Sequence, residues 1–192
     1  MGSPRRNRSR RLPGGGRRPG PAAGTSIRGA RLADAPALAR VMRASIRALA
    51  RSAYGPRQIA AWSSLPALYH AWSMSAGGET VFVAESAGRI LGYAALREGE
   101  VTALFVLPSA ARRGLGSRLL GRVEREARRR GATRLVVRAS RNGLPFYRAL
   151  GFAGSRAIRV PLPGGGALRA VLLVRRVTGR HFGSGGSTSS SN

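Results

Sequence analysis

The stretch from Val101 to Gly131 constrains this chain more than any other part of it. It opens with the apolar run Val101-Thr102-Ala103-Leu104-Phe105-Val106, which predicts a buried strand. Leu107-Pro108-Ser109 ends that strand, because Pro cannot extend the ladder. Ala111-Arg112-Arg113-Gly114-Leu115-Gly116-Ser117 then leads into a long amphipathic helix. Leu115, Leu119, Leu120, Val123 and Ala127 share one face of it, and Arg118, Arg122, Arg125 and Arg129 the other. Arg122–Glu126, Glu124–Arg128 and Glu126–Arg130 are spaced i,i+4, which adds a few tenths of a kcal/mol each at most. Gly131 follows three arginines and suits the helix end as a left-handed cap.

A strand, a glycine-rich turn and a helix start together form an anion site. The first N–H groups of a helix have no internal partner and point outwards at a ligand. Gly114 and Gly116 lack a Cβ, which would let a phosphate approach the backbone, and Arg112 and Arg113 add charge. A tight turn in a basic protein would show the same short motif. The next stretch adds to it. After Gly131 come a strand, Leu135-Val136-Val137-Arg138-Ala139, and then Ser140-Arg141-Asn142-Gly143-Leu144-Pro145-Phe146-Tyr147-Arg148-Ala149-Leu150-Gly151-Phe152.

The order L-F-V-L-P, R-R-G-L-G-S-R-L-L, E-R-E-A-R-R-R-G, L-V-V-R-A-S and F-Y-R-A-L-G-F resembles the GNAT superfamily of N-acyltransferases. The element order is similar from about Ile27 to Val177, and the specific motifs run from Leu104 to Phe152. The resemblance implies a mixed α/β (α+β) fold, with a mostly antiparallel central sheet whose central strands splay apart and are flanked by helices. It implies acetyl-CoA as cosubstrate and a primary amine as acceptor, either a small molecule or a protein N-terminus. Leu104, Phe105 and Val106 would then bind the pantetheine arm. Ala111, Arg112, Arg113 and Gly114, with Leu115, Gly116 and Ser117, would take the pyrophosphate. Tyr147 would be the general acid for the departing thiolate; a buried aromatic beside Phe146 is the plainer role for it. Two positions depart from the family pattern. Ala111 stands where a Gln or Arg is usual, and Ser140 where an Asn is usual, with Asn142 two residues on. Ser140 and Asn142 can still hydrogen-bond the pantetheine arm.

Glu100, at the start of the central strand, is the best candidate for the base that deprotonates the amine, directly or through water. Glu98 and His70 are further candidates, and Glu100 could equally be a solvated turn residue. Trp62, Tyr69 and Trp72 fall in a helical region that lines the acceptor pocket in GNAT-like proteins; as large aromatics they are also expected in the core. His70 is expected to be solvated or hydrogen-bonded.

Charge and composition bound the rest. There are 34 Lys+Arg residues, none of them Lys, against 7 Asp+Glu, a formal charge of +27. Such a chain attracts polyanions: coenzyme A, nucleic acid or acidic surfaces. A nucleic-acid-binding protein that uses its basic arm is therefore the second reading, and a non-catalytic acyl-CoA-binding module the third. The absence of Cys excludes disulfides, a thiol nucleophile and thiolate metal sites. With only two His, no metal is expected. No apolar run approaches the ~18 residues of a membrane span. A cytoplasmic protein, monomer or homodimer, is the expectation. Residues 1–24 hold seven Arg among Pro, Gly and Ser and predict a disordered basic extension. Residues 25–178 form the acetyltransferase-like domain, and 179–192 a Ser/Gly-rich tail. Within the domain, strands are expected at Ile27 to Leu32, Thr80 to Glu85 and Arg89 to Leu96. A closing hairpin should pair Ala157 to Val160 with Ala167 to Val174. Helices should start after Asp34 and cover about Arg57 to Ser63 and Pro66 to Ala76.

Overall fold

The computed structural model describes residues 24–177. The expected basic extension and Ser/Gly-rich tail lie outside the described residues, Gly24 excepted. The first half of the domain runs β1 (Ser26–Gly29), α1 (Ala35–Leu49), α2 (Pro56–Trp62), α3 (Ala67–Ser75), β2 (Thr80–Ser86) and β3 (Arg89–Arg97). The second runs β4 (Glu100–Val106), α4 (Leu115–Arg129), β5 (Arg134–Ser140), α5 (Leu144–Ala149), β6 (Ala153–Pro161) and β7 (Ala167–Arg176). The seven strands form one sheet in the order β1-β2-β3-β4-β5-β7-β6. Every pairing is antiparallel except β4 with β5. The expected mixed fold is the one observed.

Turn chemistry sets the meander at its centre. Ala87 and Gly88 between β2 and β3 have φ of 47° and 72°, and Glu98 and Gly99 between β3 and β4 have 50° and 80°. Two consecutive positive φ values make a type I′ turn, whose twist matches that of the flanking strands. Helices then cover both faces. On one face α4 buries Leu115, Leu119, Leu120, Val123 and Ala127 against Leu96, Val101, Leu135 and Val137. On the other, α1 buries Leu38, Val41, Met42 and Ile46 against Val83, Tyr93 and Ala95.

One local expectation needs correction. β1 ends at Gly29, and Leu32 lies in a short 3-10 turn with 58% exposure. Just before this point the Arg28 guanidinium reaches Asp34 at 2.7 Å and Glu85 at 2.6 Å. Asp34 accepts from Arg28 and from the Arg31 N–H at 2.8 Å, so its side chain does not cap α1. Leu49, the last residue of α1, is exposed and faces a cleft.

All three expected i,i+4 pairs of α4 form. Glu126 is buried and bridges Arg122, Arg129 and Arg130, at 3.6, 2.6 and 2.8 Å. Hydrogen bonds from Arg129 first, then Arg130, hold its carboxyl down at about 2. Its contribution to stability is therefore fully present above the ordinary carboxylate range and lost as the pH falls towards 2. Tm should drop across that window, and Glu126→Gln should flatten the drop. An unchanged profile in the variant would show that Glu126 is not the linked group.

Candidate active site

β4 is paired along its length on one side only. With β3 its register runs from Arg97↔Glu100 to Gly92↔Val106. With β5 it is paired only at Glu100↔Val136 and Val101↔Val137. Beyond Val101 the two strands diverge, and the β4 backbone faces a gap. The divergence begins at a bulge: Leu96 pairs with Val101 and Ala95 with Ala103, which leaves Thr102 unopposed. Thr102 Oγ1 is buried with no hydrogen-bond partner among the described residues. A single Thr in an apolar strand carried no signal of this in the sequence.

A cleft of about 890 Å³ opens over the gap. Leu104, Phe105 and Val106 line it from β4, and Ala111, Arg112 and Gly114 from the following loop. Gly116 and Ser117 face it from the first turn of α4. Ser140 and Asn142 complete it beyond the end of β5, with Tyr147 on α5 and Glu100 at the start of β4. Two predicted site residues do not line it. Leu115 packs its side chain into the core, and Arg113 points to solvent.

The loop before α4 turns through two left-handed residues, Arg112 at φ 58° and Gly114 at φ 76°. Gly114 is the N-cap, and a left-handed cap position is where glycine costs least. No side chain caps α4 and its first turn holds no acid. The N–H groups at its start are therefore left for a ligand. A Cβ at Gly116 would lie 3.3 Å from the Phe146 ring and 3.6 Å from Leu104, so its missing side chain makes room for Phe146.

Tyr147 is held edge-on between Phe146 at 5.1 Å and Phe152 at 5.5 Å. Burial pushes its phenol well above the ordinary tyrosine range. Its hydroxyl has no hydrogen-bond partner among the described residues. Glu100 keeps 25% of its side chain exposed, and Arg138 grips both its oxygens, Nε to Oε1 at 3.0 Å and Nη2 to Oε2 at 3.2 Å. His70 is neither solvated nor satisfied. It is buried, outside the cleft lining, and its Nε2 has no partner among the described residues. Burial lowers its pKa, which Glu79 offsets only in part, so the imidazole is neutral. Glu98 sits in the exposed β3–β4 turn, away from the cleft lining.

The other half of the cleft is aromatic. Tyr54 and Trp62 meet edge-to-face at 5.7 Å, and Trp62 meets Phe105 at 6.1 Å. The Tyr54 hydroxyl donates to the Arg169 carbonyl at 2.7 Å and accepts from the Arg141 N–H at 2.8 Å, which pins this wall across β7 and the end of β5. Trp62 is half-buried; Tyr69 and Trp72 are 39% and 52% exposed and do not join the core. Tyr69, Glu79 and Arg97 also line the cleft. Sequence spacing did not single out Glu79 or Arg97, because neither sits in a motif.

Among the described residues no helix is long and apolar enough to cross a membrane, and no group of three His, Cys, Asp or Glu is placed to hold a metal. No curated protein sequence matches the chain. Solved structures do. The GCN5-related N-acetyltransferase from Rhodopseudomonas palustris is 27% identical over 80% of this chain and 96% of its own, with a TM-score of 0.73. PaiA N-acetyltransferase from Thermoplasma acidophilum, in complex with coenzyme A, is 18% identical over 80% and 99%, at 0.63. The ribosomal-protein-S18-alanine N-acetyltransferase of Escherichia coli is 21% identical over 82% and 97%, at 0.58. The last two show a shared fold. A family model described as an acetyltransferase (GNAT) domain matches residues 50–160. That span takes in the diverging strands, the α4 start and the Tyr147 helix together, and covers more than half of the chain: it belongs to the GNAT acetyltransferase family.

Proposed function

We propose that the protein transfers the acetyl group of acetyl-CoA directly to a primary amine, with Tyr147 as the acid for the leaving thiolate. One observation carries this reading: the β4–β5 gap, the uncapped start of α4 and Tyr147 all line one cleft. Each suits a different part of acetyl-CoA. The N–H groups of Leu115, Gly116 and Ser117 suit the pyrophosphate, with Arg112 beside them. The open side of β4 suits the amides of the pantetheine arm, with Ser140 and Asn142 as side-chain partners. The coenzyme A bound to the Thermoplasma relative on the same fold supports the assignment.

The amine must lose a proton before it attacks. Glu100 draws the ammonium to the β4 end of the cleft. Glu100 then takes the amine proton, directly or through water. The lone pair then forms a C–N bond to the thioester carbonyl carbon, and the C–S bond breaks. The Tyr147 hydroxyl gives its proton to the departing sulfur and regains one from the acylated nitrogen, so one amine proton ends on coenzyme A. Burial beside the phenol raises the proton affinity of the thiolate in the same direction, which keeps the two matched.

The test is coenzyme A binding by calorimetry, together with thiol release from acetyl-CoA over a panel of primary amines. Amine-dependent release is expected. Binding without release would leave an acyl-CoA-binding module. Salt-sensitive nucleic-acid binding with no coenzyme A binding would favour the second reading.

A further inference from the structure

Seven acids stand against 34 arginines in this chain, so an acid without an arginine is conspicuous. Asp34 and Glu85 share Arg28, and Glu100 holds Arg138. Glu124 holds Arg128 and Arg175, and Glu126 holds three arginines. Among the described residues Glu79 and Glu98 alone form no ion pair. Glu98 belongs to an exposed turn. Glu79 is half-buried and lines the cleft.

Arg97 is its counterpart. Thr80 pairs with Leu96, which sets Glu79 and Arg97 side by side at one end of the β2–β3 ladder. They form no ion pair with each other, although both line the cleft. Among the described residues Arg97 reaches only the Gly77 carbonyl, at 3.5 Å. Tyr69 lies within the field of both charges: burial raises its phenol, Glu79 raises it further and Arg97 lowers it. Two opposite charges held near each other but apart suit a ligand that carries both.

We propose that Glu79 and Arg97 form a distal subsite for the α-ammonium and α-carboxylate of a free diamino acid, whose side-chain amine is the group acetylated. The proposal rests on the acetyl-transfer reading above. Two strand spacings separate β2 from β4, about 10 Å. A group bound at Glu79 is therefore the far end of the acceptor, not the nitrogen that attacks beside β4. Tyr69, Trp62 and Phe105 lie along the same cleft and offer apolar surface to the methylenes between. A lysine-length side chain with a hydrogen bond at its head covers that span. A simple diamine would bring its second cation to Arg97, and an ω-amino acid its carboxylate to Glu79. Each is repelled by one half of the subsite.

Three acceptors separate the charges: lysine, cadaverine without the carboxylate, and ε-aminocaproate without the α-ammonium. At saturating acetyl-CoA, kcat/KM for lysine should exceed each of the others by about tenfold or more, since each lost contact is a charge-assisted hydrogen bond. The product should be the side-chain amide by NMR. Arg97→Ala should close the gap between lysine and cadaverine, and Glu79→Gln the gap between lysine and ε-aminocaproate. Both variants should keep coenzyme A binding by calorimetry, which reports an intact fold. The proposal is overturned if lysine is no better than its analogues, if the α-amine is acetylated, or if each variant lowers all three acceptors equally. Acetylation of some other amine but not lysine overturns the subsite and leaves acetyl transfer standing. Absence of coenzyme A binding in the parent protein removes both.

Discussion

Ser117→Glu abolishes coenzyme A binding and leaves the fold intact: this is the largest change expected from a single side chain. Ser117 is the third residue of α4, exposed, and lines the cleft. A carboxylate in the first turn favours the helix, because it meets the positive end of the dipole, and this turn has none at present. The same carboxylate occupies the N–H groups proposed for the pyrophosphate and repels its charge. At a few Å and the effective dielectric of a protein surface, that repulsion weakens binding on the order of 10²-fold or more. Calorimetry with coenzyme A should therefore show binding lost while Tm is unchanged or raised. Ser117→Gln, similar in size but neutral, should lose far less. Wild-type affinity in Ser117→Glu would place the pyrophosphate elsewhere. Arg112→Ala should cost less than either effect of charge reversal at Ser117, because an exposed arginine is screened and the backbone amides remain.

The second large effect is on rate. If Tyr147 protonates the leaving thiolate, Tyr147→Phe lowers turnover at saturating acetyl-CoA on the order of 10²-fold. The ring, with its contacts to Phe146 and Phe152, is retained. The hydroxyl has no protein hydrogen bond to lose, so its removal should leave Tm unchanged or slightly raised. Affinity for acetyl-CoA should also survive. Because burial raises the phenol, it stays protonated through the ordinary working range. The ratio of the two rates should accordingly stay constant with pH up to the alkaline limit. A variant with wild-type turnover would show that another donor, a water molecule or Ser140, serves the sulfur.

Much of this protein was legible in its residues because the signals were local. The strand, turn and helix from Val101 to Gly131 follow from an apolar run, a proline, two glycines and a helical stripe. All three acid–arginine pairs of α4 could be placed from their spacing, since i and i+4 meet on any helix. The two central hairpins follow from short Gly-containing turns. The Tyr147 segment could be placed near the phosphate loop only through family resemblance.

Other features depend on partners far apart in the chain. Glu100 looked free until β5 brought Arg138 beside it, 38 residues on. Glu79 looked like any other acid, and its lack of an arginine emerges only when every other partner has been placed. That Gly116 also makes room for the Phe146 ring, 3.3 Å from where its Cβ would be, emerges only in the fold. His70 sits in a helix of modest amphipathicity, and only packing against Tyr93 from β3 buries it. The splay itself is of this kind. Apolar strands do not state where they part, and β4 leaves β5 beyond Val101, where the Thr102 bulge falls. Periodicity and turn residues act over a few positions and so determined the elements. Charge pairing, burial and strand divergence act between elements, so the tertiary structure alone decided which side chains meet in the cleft.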